Sequence, residues 1–268
     1  MFGHVCVSSS KLNYKAFKSI IQKRYCSRMW LFSRISNVKQ NLLPLEQFRV
    51  FQCSLSQNNF SDVFSEQSKQ HFLKSIEKLA YKDKRKSKKE AAVLVPLCIA
   101  NGEPSVLLTL RSWKMGRNKG DVSFPGGMRE TSDKDVVDLA LRETEEEIGL
   151  SPKVAQIWTL LPSIPRDDFR VTPVIAFIGD VKIEDCIVNP SEVDRVFTLT
   201  LKSLCDPKNF HYTEFKSGYS LPLYIVGEHR VWGLTAGILH HFLSIFLPKV
   251  YTNKLPRPMM KKQKRAQY

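Results

Sequence analysis

Residues 126–150, GGMRETSDKDVVDLALRETEEEIGL, constrain this chain more than any other stretch. No glycine or proline interrupts residues 133–148, and Gly149 follows, so the spacing predicts a helix over about 133–148 with Asp133 at its start. At about 100° per residue, Val137, Leu141, Thr144 and Ile148 form one stripe that can face a core. Glu143, Glu146 and Glu147 share another face, because residues three and four apart are neighbours on a helix; Glu145 points away. Three like charges there repel, and the negative end of the helix dipole adds to the cost. A solvated acidic face is the ordinary explanation of such a run. The alternative is a bound cation, and an all-carboxylate set suits Mg²⁺ or Mn²⁺ rather than Zn²⁺. Mg²⁺ keeps waters and binds substrate phosphates, which points to hydrolysis or transfer at phosphorus.

The surrounding pattern supplies a sheet for this helix to cover. Residues 91–100 predict a buried strand, and Pro104 precedes a second over 105–111. Residues 122–124 lead into Pro125-Gly126-Gly127, a turn that small residues permit. Apolar, partly β-branched runs predict strands over 154–161, 171–178 and 193–199, with polar loops at 162–170 and 189–192. A short helix is expected at 201–205 and a weakly alternating strand at 219–226. A lead-in helix is expected within 61–79, carrying Phe64, Phe72, Ile76 and Leu79. A long helix over 233–247 would bury Leu234, Ile238, Phe242 and Ile245. Strands interleaved with helices give an α/β class with a mixed sheet sandwiched between helices.

The carboxylate stretch resembles the Nudix box, G-x5-E-x7-R-E-U-x-E-E-x-G-U, where U is apolar. Gly127, Arg142, Glu143, Glu146, Glu147, Gly149 and Leu150 match it. Thr144 replaces an apolar residue, Asp133 stands where the first glutamate falls, and eight residues separate Asp133 from Arg142. That longer, Asp-containing box goes with the coenzyme A diphosphatase subgroup, whose upstream pattern is LLTxR[SA]x3Rx3Gx3FPGG. Residues 107–127, LLTLRSWKMGRNKGDVSFPGG, are similar to it. Gly116 occupies the second arginine slot, and Arg117, one residue on, is the candidate to take its place. Residues 91–98 and 231–236 look like the mitochondrial branch of the same subgroup, and the likeness spans roughly 91–247.

The resemblance implies an α/β/α sandwich and a metal-dependent hydrolase that cuts coenzyme A and acyl-CoA into 3′,5′-ADP and (acyl) 4′-phosphopantetheine. It implies Glu143 and Glu147 as metal ligands, Glu146 as a further ligand or the base, and the Gly127 carbonyl as completing the site, with Asp133 assisting through water. Arg142 would pair with a box carboxylate and hold the cluster in register. Arg111, Ser112, Arg117 and Lys119 are the candidate substrate contacts, with Lys114 near them. A pyrophosphatase acting on NADH or ADP-ribose, and a non-catalytic nucleotide- or protein-binding domain, are the competing readings. Glu192 lies in a polar loop; the resemblance offers a loop glutamate acting as base, and a surface salt bridge is the expected reading. His240 and His241 are expected to be partly buried or surface histidines, and Trp232 is open to core packing or to stacking on adenine.

The net charge of +15 would suggest a nucleic-acid binder if it lay on the folded surface. Residues 1–45 hold eight Lys/Arg and residues 254–268 hold six, with no acid in either; without them, residues 46–253 carry +1. The charge is therefore terminal, and no nucleic-acid partner is expected. Residues 1–45 fit a mitochondrial transit segment and a matrix location, and the final Ala266-Gln267-Tyr268 is not a peroxisomal tripeptide. The expected organisation is that transit segment, a lead-in helix and basic linker over 46–89, a catalytic domain over 90–250 and a basic tail over 251–268. Six scattered cysteines, without a CxxC pair, give neither a zinc site nor a disulfide framework. No apolar run approaches the roughly 18 residues of a membrane span, and monomer or homodimer stays open.

Overall fold

A computed structural model describes residues 60, 62–79, 89–116, 118–166 and 169–259. The expected transit segment, most of the basic linker, Arg117 and the last nine residues lie outside the described residues. The described elements are α1 (Glu66–Lys78), β1 (Lys89–Ala100), β2 (Glu103–Arg111), β3 (Val122–Ser123), β4 (Gly126–Met128) and α2 (Val136–Ile148). Then come β5 (Gln156–Leu160), β6 (Ile164–Arg166), β7 (Phe169–Asp180), β8 (Val193–Thr200), α3 (Leu201–Cys205), β9 (Phe210–Phe215), β10 (Tyr219–Val226), β11 (His229–Val231) and α4 (Gly233–Phe246).

β1 through β8 form one mixed sheet, with the path β3-β2-β1-β7-β5 and with β4, β6 and β8 pairing to β1, β7 and β2. β1 and β7 run parallel over most of their length, and the other pairs are antiparallel. β1 is buried on both faces, which is why it reads as an unbroken apolar run. Ala92 and Leu94 pack with Leu139 and Ala140 of α2 and with Val174 and Ala176 of β7. Val95, Leu97, Val106, Leu108 and Ile175 belong to the larger cluster shared with Phe72 of α1 and Phe242 and Phe246 of α4. The sheet thus lies between α2 on one side and α1 with α4 on the other. Helix α1, ahead of the strands, is held by this core: Phe72 is fully buried, edge-on to Phe242 and Phe246.

The carboxylate helix starts later than its pattern predicts. Asp135, not Asp133, caps it, accepting from the Val137 and Asp138 backbone N–H groups at 2.8 and 2.9 Å. Its buried face is Leu139, Ala140, Thr144, Glu147 and Ile148, with Val137 and Leu141 only partly covered. The apolar stripe is turned from the expected one, and the turn carries Glu147 inward. Thr144 is tolerated at an apolar position because its hydroxyl donates to the Ala140 carbonyl at 2.6 Å. Gly149, at φ +69°, closes the helix in the left-handed region, and a side chain there would overlap Ile187.

β6, β9 and β11 form in segments with no strand expected of them, because their pairing comes from neighbours and not from their own periodicity. The chain beyond α4 also returns to the core. Tyr251 is buried, and its hydroxyl bonds the Tyr224 hydroxyl at 2.6 Å and His240 Nδ1 at 2.7 Å. None of the described helices is long and apolar enough to cross a membrane.

Candidate active site

Three carboxylates converge at one end of the sheet. Glu143, Glu147 and Glu192 each present an oxygen within 4.8 Å of the other two. The first two come from successive turns of α2. Glu192 comes from the loop before β8, and β8 is zipped along β2 so that Arg111 opposes Val193. Ser112 fixes that loop: its backbone N–H donates to the Glu192 carbonyl at 2.8 Å and its buried hydroxyl to the Pro190 carbonyl at 3.2 Å. On the far side, the Asn189 N–H donates to the Glu147 carbonyl at the helix end.

Glu192 therefore departs from the expected surface salt bridge. No cation pairs with it among the described residues, and its carboxylate faces the helix carboxylates. Glu146 goes the other way: its side chain is 54% exposed and pairs with Arg142 Nη1 at 2.9 Å. Arg142 grips Asp133 with two nitrogens, Nε to Oδ1 at 2.8 Å and Nη2 to Oδ2 at 3.1 Å, and Nη2 reaches Glu143 Oε1 at 3.0 Å. Asp133 also accepts from the Glu130 N–H, so its carboxylate is consumed in the clamp. The Arg142 hydrogen bonds hold Asp133 below the usual carboxylate range, and Asp133 in turn raises the Arg142 pKa.

Glu147 is the odd member of the trio, 3% exposed. Burial pushes its carboxyl up to about 8; repulsion from Glu143 and Glu192 adds to the rise, while the Arg111 charge and the Gly126 N–H oppose it. Its Oε2 is buried with no hydrogen-bond partner. Burial also raises Glu143, against the pull of Arg142. Gly127 leaves room for the Glu143 carboxyl, which a Cβ at that position would displace. Gly126, at φ +150°, lies so near Ala92 and Val93 that no side chain fits.

An orphaned buried carboxylate oxygen, two further carboxylates beside it and a backbone that leaves room through glycine together fit a hard divalent cation. The other residues expected near this centre differ in how they relate to it. Arg111 acts on Glu147 electrostatically, donates from Nη2 to Met115 Sδ at 2.9 Å and keeps a buried Nε without a partner. Lys114 and Lys119 are exposed on the β2–β3 loop. His240 and His241 lie on α4, where burial lowers both, His240 to about 4, and neither joins the cluster. Trp232 precedes α4 and is 43% exposed.

Helix carboxylates beside a glycine turn, on a mixed sheet, form a candidate divalent-cation centre of the kind that serves chemistry at phosphorus. The NUDIX domain family model matches residues 88–217. Over 174 residues the chain is 44% identical to "Mitochondrial coenzyme A diphosphatase NUDT8" of Mus musculus, covering 63% of this chain and 83% of that protein. The protein of that name from Homo sapiens is 46% identical over 171 residues, 62% of this chain and 72% of the relative. "Nudix hydrolase 3" of Caenorhabditis elegans is 35% identical over 217 residues, 72% and 90% of the two chains. The chain belongs to the Nudix family and is a Nudix hydrolase.

Proposed function

We propose that this enzyme hydrolyses the diphosphate bond of coenzyme A and its acyl derivatives, releasing 3′,5′-ADP and (acyl) 4′-phosphopantetheine. The observation that carries the reading is the convergence of Glu143, Glu147 and Glu192 within 4.8 Å. The relatives named as coenzyme A diphosphatases support the substrate class.

In this account Glu143, Glu147 and Glu192, with the Gly127 carbonyl, would hold Mg²⁺ or Mn²⁺. Such an ion, when bound, neutralises phosphoryl oxygens and lowers the pKa of water. The protein does the rest through position and charge. Gly127 gives Glu143 room to turn into the cleft. Arg142, clamped on Asp133, fixes the Glu143 carboxylate and engages Glu146, so Glu146 steadies the clamp. Glu192, on the opposite wall and free of any ion pair among the described residues, completes the carboxylate set from outside the helix. Arg111, whose charge acts on Glu147, supplies positive charge for the diphosphate, with Lys119 on the same loop and Arg117, outside the described residues, proposed to add to it. Ser112 serves by holding the Glu192 loop.

Catalysis is assigned to residues 90–250, and residues 1–45 to import into the mitochondrial matrix, in line with the relatives named as mitochondrial. The test is a substrate panel: protein incubated with Mg²⁺ or Mn²⁺ and coenzyme A, acetyl-CoA, NADH or ADP-ribose, with products identified by mass. Coenzyme A and its ester should turn over fastest, with 3′,5′-ADP as a product. Equal or faster cleavage of NADH or ADP-ribose would overturn the substrate assignment.

A further inference from the structure

We propose that Trp113 is the adenine platform of this enzyme, a specificity-determining residue for the nucleotide half of the substrate; the proposal rests on the diphosphate-hydrolase reading above. Of the described tryptophans Trp158 is 7% exposed, Trp232 43% and Trp113 64%. So large an apolar surface left in water adds little to folding. It is nevertheless held in place. The loop between β2 and β3 is closed at its base by Arg111 N–H to the Asp121 carbonyl and Gly120 N–H to the Arg111 carbonyl, both 3.0 Å. Within it the six-membered ring of the indole occupies the space a side chain at position 120 would need. Its Cζ2 and Cη2 lie 2.6 and 2.7 Å from where a Cβ would stand. Gly120, at φ +71°, makes both the turn and the seat for the ring.

The seat follows directly on the residues that tie this loop to the carboxylate centre. Arg111, two residues before Trp113, acts on Glu147; Ser112, one residue before, hydrogen-bonds the Glu192 carbonyl. Among the described residues, Lys114, Lys119 and Asp121 are the charged groups exposed on the same loop. An exposed, pre-positioned indole next to cations and a diphosphate-cutting centre fits a purine that must be held while its attached phosphates reach the carboxylates. Indole and adenine stack through their π-faces, and a base–aromatic stack is worth about a 5- to 150-fold change in affinity. Lys114 and Lys119 are at hand for phosphate oxygens at the same end of the ligand.

The experiment uses the full chain as Trp113→Ala and Trp113→Phe. Isothermal titration measures 3′,5′-ADP and, separately, 4′-phosphopantetheine, and initial rates give KM and kcat for coenzyme A. Trp113→Ala should weaken 3′,5′-ADP by about 5- to 150-fold and raise KM correspondingly, with 4′-phosphopantetheine binding and kcat nearly unchanged. Trp113→Phe, which keeps an aromatic face, should recover most of the loss. Unchanged 3′,5′-ADP affinity in Trp113→Ala overturns the proposal, and so does equal weakening of both half-ligands, which would report a distorted loop. If the parent cuts coenzyme A and the variant keeps its KM, Trp113 is refuted and the function stands. If the parent binds 3′,5′-ADP through Trp113 yet does not cut coenzyme A, the function is refuted and the platform stands.

Discussion

Replacing Glu147 with glutamine should stabilise the protein while disabling it. Glu147 is almost fully buried beside Glu143 and Glu192, and burial with their repulsion lifts its carboxyl from 4.5 to about 8. Between those values the unfolded chain has given up the proton and the metal-free folded chain has kept it. The folded state then binds more protons, so stability falls as pH rises through this window. One pKa unit is about 1.4 kcal/mol, which puts the penalty at roughly 3 kcal/mol at pH 7 and roughly 4 kcal/mol at pH 8. Glutamine has nearly the same shape and does not titrate. In chelator, urea unfolding of Glu147→Gln and its parent should converge as pH falls below the ordinary glutamate range and diverge by about 4 kcal/mol by pH 8, the variant being the more stable. With Mg²⁺ or Mn²⁺ at a hundred times its dissociation constant, the parent should recover about 2.7 kcal/mol. The variant should recover much less, and its turnover should fall at least about a hundredfold. Parallel pH profiles for the two proteins in chelator would refute the reasoning, because they would mean Glu147 is ionised in the folded state without a cation.

Glu192→Gln should lower kcat by at least about a hundredfold with an unchanged circular-dichroism spectrum, since it removes a cleft carboxylate from a half-buried loop. Gly127→Ala should cut turnover sharply in a steady-state assay while leaving the urea midpoint nearly unchanged, because the added methyl displaces only the Glu143 carboxyl. Tyr251→Phe should cost about 1–3 kcal/mol by leaving Tyr224 and His240 without their shared partner, yet leave kcat for coenzyme A unchanged.

The carboxylate helix was legible because its message is local: spacing along one helix, a closing Gly149 and a run without breakers. What failed there was rotation, since the weak apolar stripe through Val137 and Leu141 competed with Leu139 and Ala140, and only packing against Ala92 and Leu94 decides between them. That decision buries Glu147. Asp133 looked like the start of the helix, and its use as the anchor of Arg142 depends on the loop folding back. Glu192 was harder still. Its loop is legible, but its place opposite Glu143 follows from β8 pairing with β2, a contact between segments some 85 residues apart that no periodicity encodes. The short strands β9 and β11 escaped for the same reason, being made by their partner β10.

The central claim is that Glu143, Glu147 and Glu192 hold a divalent cation, and anomalous diffraction from crystals soaked in Mn²⁺ tests it most directly. An anomalous peak should stand at carboxylate-ligand distance from Glu143, Glu147 and Glu192 and be lost in Glu147→Gln crystals. Crystals that show no manganese among these three side chains, while the same preparation cleaves coenzyme A, would contradict it.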